Sequence, residues 1–151
     1  MWLDQLYGGA GDDLIYGFEG DDIITGGNGN NRLFGDAGND LIILGRTTKV
    51  GPANPNLSLT NPDSYSSPSP TTPGADNFAS GGTGNDHIIG TQQGDTVLGG
   101  PGNDFIETFR GNDYIDGGDG DDFINPTFGQ NEVFGGRGND IIFVRGPVTD
   151  P

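Results

Sequence analysis

GGTGNDHII (81–89), GTQQGDTVL (90–98), GGPGNDFIE (99–107), TFRGNDYID (108–116), GGDGDDFIN (117–125), PTFGQNEVF (126–134) and GGRGNDIIF (135–143) follow one another without a gap. The same nine-residue step runs through GGAGDDLIY (8–16), GFEGDDIIT (17–25), GGNGNNRLF (26–34) and GDAGNDLII (35–43), and Asp4-Gln5-Leu6-Tyr7 matches the end of a further copy. In each copy position eight is aliphatic, from Ile15, Ile24, Leu33 and Ile42 to Ile88, Val97, Ile106, Ile115, Ile124, Val133 and Ile142. One inward aliphatic between two variable neighbours is the pattern of a three-residue strand. The six residues before it are too rich in glycine for a helix or a strand and suit a turn that needs positive φ. One such strand buries too little apolar surface to be stable, so the copies must stack.

The turns carry a second period. Those starting at 8, 26, 81, 99, 117 and 135 open with two glycines, and those starting at 17, 35, 90, 108 and 126 do not. The alternation predicts a coil of two nonapeptides, with alternate turns on opposite edges of a flattened roll, one edge regular and the other degenerate. Residues 44–80 interrupt the repeat with six of the ten prolines and many Ser and Thr. They read as a loop. Because the alternation is preserved on either side, 44–80 is expected to be an excursion from one roll, with 4–43 and 81–143 its two parts and 144–151 a tail; a linker between two rolls is the other arrangement. Gly74-Ala75-Asp76-Asn77-Phe78 looks like half a repeat, with Asp76 one residue out of step with Asp86.

Composition narrows the class. The 151 residues are 30% hydrophobic, with 30 Gly, and carry a net charge of −16 from 22 Asp+Glu against six Lys+Arg. So acidic a chain is not suited to nucleic acid or to anionic membranes, and it needs cations to relieve self-repulsion. No cysteine is present, so a staple must be built from oxygen ligands. No apolar run is long enough to insert in a membrane, and Met1-Trp2-Leu3-Asp4 lacks the basic start and apolar run of a signal peptide.

The nonapeptides resemble GGxGxDxUx, the repeat of the RTX, or haemolysin-type, calcium-binding family, and nine of the eleven copies keep Asp at position six. The resemblance covers about two thirds of the chain. It implies an all-β fold: a parallel β-roll, a right-handed β-solenoid with two nonapeptides per coil and calcium-binding glycine-rich turns on both edges. In that family the ions sit between successive turns of one edge. Calcium takes six to eight oxygens, from carboxylates and backbone carbonyls alike, and glycine turns expose several carbonyls on one side.

An ion between turns eighteen residues apart would meet Asp86/Asp104, Asp104/Asp122 and Asp122/Asp140, the strongest candidates, and then Asp13/Asn31, where an amide replaces one charge. The other edge is expected to offer Asp4/Asp22, Asp22/Asp40 and Asp95/Asp113, with Asp113/Asn131 doubtful on chemical grounds. Carbonyls of turns 8–13, 17–22, 35–40, 81–86, 99–104, 117–122 and 135–140 complete the shells. Five to eight Ca²⁺ are expected, and since the ligands converge only on stacking, binding and folding should be one event. Asp12, Asp21, Asp36 and Asp121 read as surface charges. An EF-hand reading of 113–122 fails for want of ligand spacing and a terminal bidentate Glu.

No catalytic group assembles. The lone His87 takes an outward strand position, and no Cys or second His is available. Position seven also presents Phe105, Phe123 and Ile141 in register with His87, a column that either packs across strands or contacts a partner. The expected function is a non-catalytic structural module, extracellular by the family resemblance. A binding or adhesion module for protein or sugar, and a fragment of a secreted enzyme or toxin, are the alternatives. Ice binding is disfavoured by the irregular third positions Ala10, Asn28, Thr83, Pro101, Asp119 and Arg137.

Overall fold

A computed structural model describes residues 3–45 and 77–144. Among them the strands are β1 (Gln5–Ala10), β2 (Leu14–Tyr16), β3 (Ile23–Asn28), β4 (Arg32–Ala37), β5 (Leu41–Ile43), β6 (Asn77–Thr83), β7 (His87–Ile89), β8 (Asp95–Pro101), β9 (Phe105–Arg110), β10 (Tyr114–Asp119), β11 (Phe123–Phe128), β12 (Glu132–Arg137) and β13 (Ile141–Ile142). Odd strands form one sheet in the order β1-β3-β5-β7-β9-β11-β13, and even strands the other, β12-β10-β8-β6-β4-β2. Every pairing is parallel, and facing residues such as Leu6 and Ile24, or Ile106 and Ile124, are eighteen apart. The chain is therefore an all-β solenoid of about six turns, with a strand from each sheet in each coil.

Between the sheets lies a column one side chain wide. Ile24, Leu33, Ile42, Ile88, Val97, Ile106, Ile115 and Ile124 are fully buried, and Leu6, Ile15 and Val133 cover its ends. These are the position-eight aliphatics, and each removes about 1.5–3 kcal/mol worth of apolar surface from water. Ile142, in the last described coil, is 39% exposed because no described coil lies above it.

The interruption departs from expectation. Across it β4 pairs with β6 and β5 with β7, placing Leu33 opposite Ala79 and Ile42 opposite Ile88. Asp40 and Asp86 are neighbours at a separation of 46. Subtracting one coil of eighteen leaves 28 extra residues, nine fewer than the 37 of 44–80. Those nine are a twelfth repeat, TPGADNFAS (72–80), of which Asn77 onward is described. Asn77, not Asp76, holds position six, and Ala79 fills position eight in the core. Leu44 also stays in register, fully buried, where the next first-position glycine would fall.

The extra repeat exchanges the edges. Turns 17–22 and 35–40 lie on the same edge as 81–86, 99–104, 117–122 and 135–140, here called edge I. Turns 8–13, 26–31, 90–95, 108–113 and 126–131 lie on edge II with Asn77. The double-glycine rule thus misassigned the first two edge I turns: Phe18 and Asp36 hold the second-glycine conformation at φ 74° and 73°.

Stacking makes some glycines obligatory. At Gly102, φ is 148° and a Cβ would meet the Gly84 carbonyl of the neighbouring coil, whereas Gly11, at φ 116°, has open space around it. Gly11→Ala should cost only backbone strain, about 1–3 kcal/mol. Gly102→Ala should prevent stacking of the central coils, so that circular dichroism shows most of the strand signal lost. Equal losses in the two variants would mean that coil contact is not what selects glycine here.

Candidate metal centre

Edge I carries an uninterrupted ladder of position-six aspartates: Asp4, Asp22, Asp40, Asp86, Asp104, Asp122 and Asp140. The backbone N–H of each donates to Oδ1 of the next, at 2.8 Å for Asp4 to Asp22, Asp22 to Asp40 and Asp40 to Asp86, 2.9 Å for Asp86 to Asp104, 2.8 Å for Asp104 to Asp122 and 3.1 Å for Asp122 to Asp140. The ladder fixes each carboxylate and occupies one of its oxygens. The other, Oδ2, is buried without a hydrogen-bond partner in Asp22, Asp40, Asp86, Asp104 and Asp122. An anionic oxygen in that position is costly.

Each of these free oxygens lies beside a backbone carbonyl. Over the α-carbon of Gly99 meet Asp104 Oδ2 and the Gly117 carbonyl, over Gly81 meet Asp86 Oδ2 and the Gly99 carbonyl, and Gly17, Gly35 and Gly117 repeat the arrangement. Any side chain at these glycines would stand among the oxygens. Among the described residues no three His, Cys, Asp or Glu side chains converge. A cation here must therefore draw most of its shell from the main chain, as a hard ion can. Burial pushes the Asp104 carboxyl up to about 7 and that of Asp86 up to about 6, and raises Asp40 and Asp122 as well.

Edge II lacks this uniformity. At its start Asp13 keeps a free Oδ2 beside the Gly26 carbonyl and accepts nothing from its neighbour; its N–H donates to Asn31 Oδ1 at 3.1 Å. At Gly26 the amide nitrogen of Asn31 replaces the carboxylate oxygen and donates to the Leu44 carbonyl at 3.4 Å. Asn31 N–H donates to Asn77 Oδ1, and Asn77 Nδ2 to Asp95 Oδ1. Asp95 Oδ2 accepts from the Thr91 N–H at 2.6 Å, and the Thr91 hydroxyl donates to the same carboxylate. Beside Gly90, where edge I has a carbonyl, stands the methyl carbon of Thr108. The Thr108 hydroxyl faces the Asp113 carboxylate and partly offsets the upward push of burial on it, and the Asp113 N–H donates to neutral Asn131 Oδ1. Asp13/Asn31 therefore does not share an edge with Asp86–Asp140, whereas Asp4, Asp22 and Asp40 do.

Two features were under-read in the sequence. The fifth-position residues form a ladder of opposite polarity: Asn39 N–H donates to Asp21 Oδ1, Asn85 to Asn39, Asn103 to Asn85, Asp121 to Asn103 and Asn139 to Asp121. The signal was the near-constant Asn or Asp at that position, so Asp21 and Asp121 are structural acceptors as well as surface charges. His87 is less exposed than a surface position implies: its Nε2 is buried without a partner, and burial lowers its basicity. It meets Phe105 edge-on at 4.8 Å, and Phe105 stacks on Phe123 at 4.9 Å, in the expected register. With the corrected phase, Leu41 and Ile23 extend this column.

A parallel solenoid with a row of caged, donor-free carboxylate oxygens belongs to the class of cation-binding repeat modules. The model of the RTX calcium-binding nonapeptide repeat matches residues 4–33, 16–46, 74–106, 89–124, 99–133 and 127–145, most of the chain. The chain belongs to that family, a calcium-binding, non-catalytic structural repeat. No curated protein and no solved structure matches it. Its residues fit the ion: Asp Oδ2 and glycine carbonyls supply hard oxygen donors, and a divalent cation would neutralise the buried charge.

The raised carboxyl groups predict a pH dependence. The metal-free roll binds more protons than the unfolded chain, so its stability is greatest near pH 4 and falls as pH rises through about 6–7. Circular dichroism of chelator-treated protein should show more strand at pH 4.5 than at pH 8. Since calcium competes with those protons, its apparent affinity should rise over the same interval; the opposite slopes would refute the assignment.

Proposed function

We propose that this chain is an extracellular structural module, a right-handed roll that folds on binding Ca²⁺, with its ions concentrated on edge I. The observation that carries the reading is the unbroken row of buried Oδ2 atoms without donors from Asp22 to Asp122. Ion positions are proposed between Asp4/Asp22, Asp22/Asp40, Asp40/Asp86, Asp86/Asp104, Asp104/Asp122 and Asp122/Asp140, with the first- and next-coil glycine carbonyls as co-ligands. One further ion fits at Asp13. Seven ions lie within the five to eight expected, and their charge would offset most of the formal −16.

Asp95, Asp113 and Asn31 are left out of this set, because Asp95 Oδ2 already accepts from Thr91, the Thr108 hydroxyl faces the Asp113 carboxylate, and the Asn31 amide nitrogen already donates to the Leu44 carbonyl. The Asp40/Asp86 position is new, since only stacking across the interruption brings these residues together. Individual affinities on the order of 10⁻⁴–10⁻³ M suit a module that remains unfolded where calcium is scarce and orders outside the cell. We assign the Phe105 and Phe123 column to cross-strand stiffening, because the two rings face each other.

Calorimetric titration with calcium separates the edges. Asp104→Asn and Asp40→Asn should each remove two ion positions and raise the calcium concentration at the folding midpoint by roughly tenfold or more. Asp95→Asn should leave the number of bound ions unchanged, because its carboxylate acts only within the protein, although losing the Thr91 or Asn77 hydrogen bond lowers stability. An equal loss of bound ions in Asp95→Asn and Asp104→Asn would defeat the one-edge assignment.

A further inference from the structure

Edge II departs from the leading glycine pair in three successive coils, keeping only Gly90, and what replaces the pair is not featureless. Thr91, Thr108-Phe109 and Pro126-Thr127 stand where the other turns have glycine, and Gln92, Arg110 and Phe128 follow at the variable third position. Side chains from all three turns border one half-open depression of about 420 Å³, next to the outer face of the odd-strand sheet. That volume is within the range of small-molecule sites.

Its polar groups are arranged with some left unused. Asn125 Nδ2 donates to Glu107 Oε1 at 3.1 Å, which orients the carboxylate and leaves its second oxygen free. Asn125 Oδ1 is buried without a hydrogen-bond partner, whereas the fully buried Thr108 hydroxyl is turned to the Asp113 carboxylate and takes no part in the cleft. Arg110 lies 5.9 Å from the Phe128 ring centroid, and its guanidinium forms no ion pair among the described residues. Gln92 adds a second amide, Phe109 forms part of the lining, and Phe128 is 46% exposed.

This donor set excludes several ligands. One carboxylate beside one guanidinium makes a poor cation site, and Glu107 on a chain of net charge −16 repels phosphates. The free acceptors and amides do not suit a purely apolar guest. A ligand with many hydroxyls and an apolar C–H face satisfies both components: carboxylate, amide and guanidinium groups exchange hydrogen bonds with hydroxyls, and the phenyl rings cover the C–H face. We infer that this cleft is a saccharide-binding site, and that the edge which gave up calcium cages carries recognition instead.

The test uses the full calcium-loaded chain, labelled with ¹⁵N and titrated with cellobiose, maltose, lactose and N,N′-diacetylchitobiose. At least one disaccharide should produce saturable amide shifts centred on β9, β11 and Gln92. Glu107→Gln and Phe128→Ser should each weaken that binding roughly tenfold or more. Arg110→Ala, at an exposed position, provides a further variant if either of these fails to fold. Calcium-induced circular dichroism, recorded on the same samples, reports folding separately, so absence of sugar binding in a folded chain counts against the cleft and not against the calcium module. The inference is overturned if none of the four sugars gives saturable shifts, if the shifts lie elsewhere, or if folded variants bind as the parent does.

Discussion

A buried carboxylate oxygen with no donor is the constraint around which this molecule is arranged. The backbone N–H of one coil holds Oδ1 of the next, so the carboxylate cannot turn its other oxygen to water without breaking the ladder that stacks the coils. A core only one aliphatic wide cannot absorb several such charges by itself. Protonation and a divalent cation are the two ways to neutralise them. At neutral pH a cation would be the effective one, and this is the physical basis of the proposed coupling between stacking and metal binding.

The two edges solve the same problem differently. Edge I repeats one solution without variation: an aspartate Oδ2, a glycine with no side chain, and a carbonyl from the next coil. Edge II uses protein atoms in its middle coils. The Asn31 amide donates to Leu44, Thr91 donates to Asp95, and the Thr108 methyl stands where an ion's carbonyl ligand would be. These substitutions lie beside the interruption, where a coil must close across an inserted segment. Hydrogen bonds that need no ion suit that place, because they do not depend on an intact cage on either side.

Release from calcium geometry also frees side chains. A first- or second-position glycine on edge I is held by crowding or by positive φ, so nothing can project from it. On the C-terminal half of edge II the same positions carry Thr108, Phe109 and Thr127, which shape the cleft together with the third-position Arg110 and Phe128. The fold thus separates a mechanical edge from one able to carry chemistry, while the sheets between them remain regular.

Much was legible in the residues themselves. The nine-residue period, the buried eighth position and the fixed sixth-position Asp are local consequences of strand, core and turn, and each can be read one repeat at a time. The fifth-position Asn and Asp could have been read as a second ladder, since the same Cγ oxygen recurs at the same offset. Which turns share an edge could not be read in this way. That parity depends on counting every strand between them, and the repeat at 72–80 had lost its leading glycines and replaced its core aliphatic with Ala79. Only strand pairing, Leu33 against Ala79 and Ile42 against Ile88, brings Asp40 to Asp86 and unites both halves in one ladder. The sequence alone determined which oxygen-bearing groups each turn carries; the tertiary structure decided which turns face one another, because a shared site in a solenoid is made by stacking and not by proximity along the chain.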